Sequence, residues 1–226
     1  EPILSVINQT YDNVEYIIID GGSTDGSLDI IRKYEHAIDY WVSEKDKGIY
    51  DAMNKGISYS CGEWLCYMNA GDTFSCLNVL ARVADLMVSK KKVDVFFSDT
   101  NFMYKTGVET FECNYKPLKV IHQSVIYRKN LHSRVGSNYL VFPSFTTSDY
   151  LFFKLISNME WFKCDFVISD YSPYGVSSGL RTFRNKILID MLIDNNSRFK
   201  SFGILILHPF YHFLKKVIRK FLLFKQ

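Results

Sequence analysis

The feature that most limits what this chain can fold into is a short β-branched run closed by polar residues, repeated with helical segments between. Tyr16-Ile17-Ile18-Ile19 is apolar throughout and ends in Asp20-Gly21-Gly22, the pattern of a buried parallel strand running into a loop. Ser23 or Thr24 is placed to cap a helix in which Leu28, Ile31 and Tyr34 recur at helical spacing. The unit is strand, loop, helix.

That unit recurs. Gly48 to Ser60 carries Ile49, Met53, Ile57 and Ser60 along one stripe, and Trp64 to Met68 makes an apolar strand broken by Asn69-Ala70-Gly71-Asp72. Leu77 to Ser89 is helical by its Leu80, Ala84 and Met87 stripe, and Val93 to Phe97 is a strand ending at Ser98-Asp99. The alternation predicts an α/β fold with a mostly parallel, Rossmann-like sheet flanked by helices. Polar and acidic residues come just after the strands, where open α/β sheets bind ligands. Beyond Thr100 the order loosens, with strands expected at Gln123 to Tyr127 and Asp165 to Ser169, a helix at Asp149 to Ile156, and a Ser/Gly loop at Ser172 to Gly179.

At 226 residues with 47% hydrophobic and 23% charged content the chain is long enough for a real core. A net charge of +3, with Lys and Arg thickening toward the C-terminus, gives no footprint for nucleic acid. Five cysteines with no C-x-x-C pair suggest neither a zinc site nor a disulfide framework. They are expected as free thiols in a reducing compartment, the cytoplasm. No signal peptide opens the sequence, and no run of 18 apolar residues occurs in it.

Three segments stand in order: Tyr16-Ile-Ile-Ile-Asp20-Gly-Gly-Ser-Thr-Asp25-Gly, Asp46-Lys-Gly-Ile-Tyr-Asp-Ala-Met-Asn54-Lys-Gly56, and Gly62-Glu-Trp-Leu-Cys-Tyr-Met-Asn69-Ala-Gly-Asp72. Together they resemble the nucleotide-binding half of family 2 glycosyltransferases with a GT-A fold, of the bacterial polysaccharide-biosynthesis type. The resemblance runs over residues 3 to 180. It implies a donor half over 1–100, an acceptor half over 101–180, and a helical extension over 181–226. In the family the domain opens with an apolar strand, whereas Glu1 to Val6 reads as the helix after it, so the first strand is expected to be missing.

The resemblance also implies roles. Asp20, at a strand end, would accept from the base edge of a UDP group, with Ser23 beside it; alternatively both simply cap the next helix. Asp25 is expected to hold the loop. Asp46, Asn54 and Gly56 would border the donor's ribose and diphosphate, and Lys47 or Lys55 would meet its charge or be merely solvated. Asp72 would carry the divalent cation, Mg2+ or Mn2+, that neutralises a departing diphosphate. Many relatives have two carboxylates at this strand end, whereas Asn69-Ala70-Gly71-Asp72 supplies one, with Asn69 as a ribose or outer contact. The competing role for Asp72 is a cap for a helix beginning near Ser75.

Within Thr147-Ser148-Asp149-Tyr150, Asp149 matches the acidic residue that serves as general base in relatives, and could equally cap its helix. One base and no covalent intermediate imply inversion at the anomeric carbon. His122-Gln123-Ser124 resembles a segment near the acceptor site, although an isolated histidine is more often structural. Ser98-Asp99 would sit by the donor sugar, and Gly175-Val176-Ser177 resembles a loop that folds over it.

From Leu214 to Leu222 the residues Leu214, Val217, Ile218, Phe221 and Leu222 form one stripe and Lys215, Lys216, Arg219 and Lys220 another, a basic amphipathic helix. It suits an anionic membrane surface on the inner face, beside a lipid-linked acceptor, or a contact with the domain or a second subunit in a homodimer. The expected function is transfer of a sugar from a nucleotide-sugar donor to a glycan or lipid-linked acceptor hydroxyl. The alternative is a noncatalytic nucleotide-sugar-binding or scaffolding protein. A Rossmann dehydrogenase is disfavoured, since no G-x-G-x-x-G comes after a strand.

Overall fold

The structure is a computed structural model that describes residues 2–136, 138–141, 146–174 and 180–193. Its elements in chain order are α1 (Pro2–Ile7), β1 (Ile17–Asp20), α2 (Ser27–Lys33), β2 (Tyr40–Ser43), α3 (Ile49–Tyr59), β3 (Trp64–Cys66), β4 (Thr73–Phe74), α4 (Val79–Ser89), β5 (Val95–Phe97), β6 (Thr100–Tyr104) and β7 (Gly107–Phe111). They continue with β8 (Asn114–Tyr115), β9 (Leu118–Lys119), β10 (Val125–Arg128), α5 (Leu131–Val135), α6 (Ser148–Leu155), β11 (Trp161–Lys163), β12 (Ser169–Tyr171) and α7 (Leu180–Ile193). The chain divides into two compact units, Glu1–Val176 and Ser177–Gln226. Of the second, the described part is α7.

β1 and β2 pair in parallel, and a four-stranded sheet runs in the order β11-β5-β10-β3. β11 is parallel to β5 while β10 is antiparallel to both β5 and β3. Three of its four strands therefore point one way, and the expected parallelism is one of direction rather than of every ladder. A second four-stranded sheet, β4-β12-β6-β7, is also mixed, with β12 antiparallel to β4 and parallel to β6.

The first four-stranded sheet is covered on both faces, as its near-continuous apolar strands require. Leu65, Val95, Phe97, Val125, Tyr127 and Trp161 join one core with Tyr50, Met53 and Ile57 of α3 and Phe152, Phe153 and Ile156. The alternate residues Phe96 and Ile126 join a second core with Val79 and Val83 of α4, Phe74 and Ile168. This is the period of two expected of strands.

Several expectations shift. α3 turns Met53 and Ile57 inward as expected, with Tyr50 buried in place of Ile49, which is exposed; in α4 the buried residues are Val79 and Val83. Gly26, at φ 89°, precedes α2 without a side-chain cap, because Ser23 is engaged elsewhere. His122–Ser124 is a 3-10 turn closed by Ser124 N to Ile121 O, and the strand begins only at Val125. Residues 165–168 are not a strand: Cys164 N ends the β11 ladder on Phe97 O, and Ile168 N donates to the Ser98 hydroxyl. The hairpin β6-β7 fills the stretch where sequence order loosened.

All five cysteines are unpaired. Among the described residues no helix is long and apolar enough to cross a membrane. The Gly175-Val176-Ser177 loop and the basic amphipathic segment at 214–222 lie outside the described residues.

Candidate active site

The β1 end is tied together by its own carboxylate. Asp20 Oδ2 accepts from Gly22 N at 3.0 Å, Ser23 N at 2.9 Å and the Ser43 hydroxyl at 2.6 Å, and Oδ1 accepts from the Ser23 hydroxyl at 2.5 Å. Burial pushes this carboxyl up, but the hydrogen bonds outweigh it and hold it down at about 2. Asp20 and Ser23 are thus engaged with each other rather than with α2. Asp25 accepts from the Ser27 amide and hydroxyl, the loop-holding role expected of it.

Gly21 is where the next loop arrives. A Cβ there would stand 2.5 Å from Asp46 Oδ2, so only glycine lets Asp46 approach the Asp20 turn. Asp46 Oδ1 in turn accepts from Gly48 N at 2.8 Å, fixing the entry to α3. Lys55 pairs with Glu44 at 2.7 Å, and Lys47 donates its backbone N–H to Asp51.

Along α3 the two predicted donor contacts are turned to the fold. Asn54 Nδ2 donates to Tyr139 O at 2.8 Å and Asn54 Oδ1 accepts from Tyr139 N at 3.0 Å, so both ends of its amide hold the segment before α6. Gly56 lies where a Cβ would touch Ile19 of β1 at 3.9 Å. Tyr50, which sequence reasoning passed over, donates its hydroxyl to Asp149 Oδ1 at 2.7 Å.

Asp72 comes after β3, beyond the turn in which its N–H donates to Asn69 O at 3.0 Å. It is buried, 2% exposed; Oδ2 accepts from Gln123 Nε2 at 2.8 Å and Oδ1 from Ser172 N at 2.8 Å. Burial raises its carboxyl to about 6 although these bonds pull it down. It caps no helix, since α4 starts at Val79 behind Asn78. Among the described residues no three His, Cys, Asp or Glu side chains gather to hold a metal. One buried carboxylate, each of whose oxygens keeps a second lone pair beside its protein donor, fits a divalent cation only where diphosphate oxygens and water supply the other ligands.

Asp149 opens α6, with its side chain partly exposed. Its second oxygen, Oδ2, lies 4.0 Å from His122 Nδ1. His122 is buried and meets the Tyr139 hydroxyl through Nε2 at 3.1 Å; that hydroxyl is 2.8 Å from Tyr127 OH, which is 3.0 Å from His132 Nε2. Burial pulls the His122 imidazole down to about 4. Thr147, preceding α6, is fully buried and its hydroxyl has no hydrogen-bond partner among the described residues, an uncommon state for a buried polar group.

The 3-10 turn His122–Ser124 therefore joins the two ends of the site. Its first side chain faces Asp149, its second holds Asp72, and its third, Ser124, bonds the Thr100 and Ser169 hydroxyls at 2.7 and 2.6 Å. Asp20 is held within its own loop by Gly22, Ser23 and Ser43, and Asp46 reaches that loop at Gly21. Asp99 is turned instead to Lys163 and Cys113 N, each at 2.7 Å. An open cavity of about 650 Å³, lined by Ile57, Glu63, Lys129 and His132 among others, includes none of the three carboxylates.

The profile of the family described as "Glycosyl transferase family 2" matches residues 1–141. The "PGL/p-HBAD biosynthesis glycosyltransferase" of Mycobacterium bovis is 32% identical over 140 residues, covering 58% of this chain and 54% of that protein. The chain thus spans about half the length of the curated relatives it matches. Among solved structures, S. aureus TarS 1-349 in complex with UDP superposes with a TM-score of 0.66 at 17% identity, over 86% of this chain and 62% of that one. The mannosyltransferase PcManGT from Pyrobaculum calidifontis, in complex with GDP-Man and Mn2+, gives 0.58 at 13%, over 84% and 56%. These likenesses show the GT-A fold.

Proposed function

The chain belongs to glycosyl transferase family 2, and from that premise we propose that it moves one sugar from a nucleotide-sugar donor, a UDP-sugar, onto an acceptor hydroxyl with inversion. The observation that carries this reading is Asp149: a partly exposed carboxylate at the start of α6, with Oδ1 fixed by Tyr50 and Oδ2 4.0 Å from His122 Nδ1. An acceptor hydroxyl is a poor nucleophile at neutral pH and gains from a base that takes its proton as it attacks. Asp149 takes that proton, the acceptor oxygen bonds to the anomeric carbon, and the nucleoside diphosphate leaves from the opposite face. A single displacement inverts the centre.

Asp20, Ser23 and Asp46 lie in the adjoining loops and form the floor for the nucleotide in this reading, with Asn69 near the ribose. Asn54 and Gly56 contribute by holding α3 against Tyr139 and β1. Mg2+ or Mn2+ would supply charge neutralisation for the leaving diphosphate, held chiefly by diphosphate oxygens and water with Asp72 as its protein carboxylate. The acceptor is a glycan or lipid-linked hydroxyl, and the basic C-terminal segment suits either the anionic cytoplasmic face of a membrane beside it or, alternatively, a contact with the domain or with a second subunit in a homodimer.

The lone, already hydrogen-bonded Asp72 favours a second reading, a protein that binds the donor without transferring its sugar. A donor screen on full-length protein, reading nucleotide release and product with and without Mn2+, separates the two. Asp149→Asn is expected to lose transfer and keep donor binding; equal turnover by that variant removes Asp149 from the mechanism.

A further inference from the structure

Asp149 is braced from two sides by groups that take no direct part in the displacement. Tyr50 reaches it from α3, 99 residues away in sequence, and donates to Oδ1 at 2.7 Å. The other side is closed by the buried chain His122, Tyr139, Tyr127 and His132, whose links measure 3.1, 2.8 and 3.0 Å. Such a chain carries one proton per hydroxyl, so the direction of each bond depends on its neighbours.

One ordering satisfies every member and suits the carboxylate. His132 Nε2–H donates to Tyr127, Tyr127 donates to Tyr139, and Tyr139 donates to His122 Nε2. The neutral His122 ring then carries its own proton on Nδ1, the nitrogen 4.0 Å from Asp149 Oδ2. The reverse ordering would aim the Nδ1 lone pair at a carboxylate oxygen, which is repulsive. The carboxylate therefore selects the tautomer, and the phenols behind the ring hold it. At 4.0 Å the N–H faces the carboxylate without closing a hydrogen bond on it, so Oδ2 keeps its capacity to accept a proton.

Resting on the reading of Asp149 as the base, we propose that Tyr50 and His122 are positioning residues: Tyr50 pins Oδ1, the phenol-backed imidazole faces Oδ2, and together they present Oδ2 to the acceptor hydroxyl. The packing supports a rigid frame. His122 lies edge-on to Phe153 at 5.2 Å and tilted against Tyr67 at 4.9 Å, and His132 stacks on Phe152 at 4.2 Å. Asn54 fixes the Tyr139 backbone from both sides, so the ring whose hydroxyl holds the tautomer has a defined position.

The test uses full-length protein with Mn2+ and measures UDP release from UDP-glucose, UDP-galactose and UDP-N-acetylglucosamine, with kcat and donor KM for each variant and its melting temperature alongside. Tyr50→Phe, which removes only the hydroxyl, and His122→Phe are each expected to lower kcat about tenfold, part of the roughly 10²–10⁴ that a general base contributes, with donor KM unchanged. His122→Asn, which keeps an N–H near the place of Nδ1, should recover part of the His122→Phe loss. Tyr139→Phe should lower kcat while leaving donor binding intact. Wild-type kcat in both Tyr50→Phe and Tyr139→Phe overturns the proposal, as do losses seen only in KM or only in step with a lower melting temperature. Asp149→Asn separates the layers: if it turns over normally, or if wild type releases UDP from none of the three donors, the base assignment itself fails and the positioning roles go with it.

Discussion

Gln123 places its amide Nε2 2.8 Å from Asp72 Oδ2, with both side chains buried. A buried carboxylate stripped of a donor keeps its desolvation cost without the compensating bond. Gln123→Met, similar in volume, should therefore destabilise the protein by roughly 1–3 kcal/mol in urea unfolding. Paired with Asp72→Asn, the double variant should lose less than the sum of the two, the sign of a shared interaction.

Asn54 gives a contrast between two roles. If its amide serves the fold, Asn54→Ala should cost roughly 1–3 kcal/mol, because two Tyr139 backbone groups lose their partner, while UDP affinity by calorimetry stays put. Unchanged stability with a large loss of UDP affinity would restore it to the donor site.

Thr147 buries a hydroxyl that nothing among the described residues satisfies. Thr147→Val keeps the branched shape and removes the stranded group, so a gain on the order of 1 kcal/mol is expected in thermal or urea unfolding. Activity should be unaffected. A drop in turnover with stability gained would mean that the hydroxyl finds its partner in a substrate.

Two titrations oppose each other across mildly acidic pH, measured in chelator. His122 is lowered by burial from 6.5 to about 4; the stability its neutral ring provides is complete above 6.5 and lost as pH falls toward 4. Asp72 is raised by burial from 3.8 to about 6; its contribution is complete below 3.8 and lost as pH rises through 6. Asp72→Asn should thus steepen the loss of stability on acidification from 6.5 to 4. His122→Asn should reverse it, making the protein more stable as pH falls over that range.

Chelation bears on the cation. With one protein carboxylate available, EDTA should abolish nucleotide release and Mn2+ restore it. Asp72→Asn should raise the Mn2+ concentration needed for half-maximal activity about tenfold or more, of the order expected when one charged contact is removed. An unshifted Mn2+ dependence in that variant would take Asp72 out of cation binding.

Much of the fold was legible because its signals are local. β1, α2, α3, β3, α4, β5 and α6 come from periodicity and turn residues, and the ordered segments Tyr16 to Gly26, Asp46 to Gly56 and Gly62 to Asp72 carried the family. In α3 the stripe held at Met53 and Ile57 and missed at Ile49, because Tyr50 and Ile49 are both apolar enough to be buried and it is Tyr50 that faces the core and Asp149. The strand expected at Asp165 to Ser169 is met only at Ser169, where β12 begins, because the backbone hydrogen bonds of Ile168 go to Ser98 and Ser75, which no local pattern reveals.

What the sequence determined by itself is therefore the order of strands and helices, the polar loops at the strand ends, and which carboxylates stand there. Only the tertiary structure decided how those groups are spent: Asn54 on Tyr139, Gln123 on Asp72, Tyr50 on Asp149. Each of these bonds joins residues tens of positions apart, and its geometry is set by how α3, α6 and the His122–Ser124 turn pack on the sheet. Spacing along the chain fixes which elements form, whereas a hydrogen bond depends on distance in space.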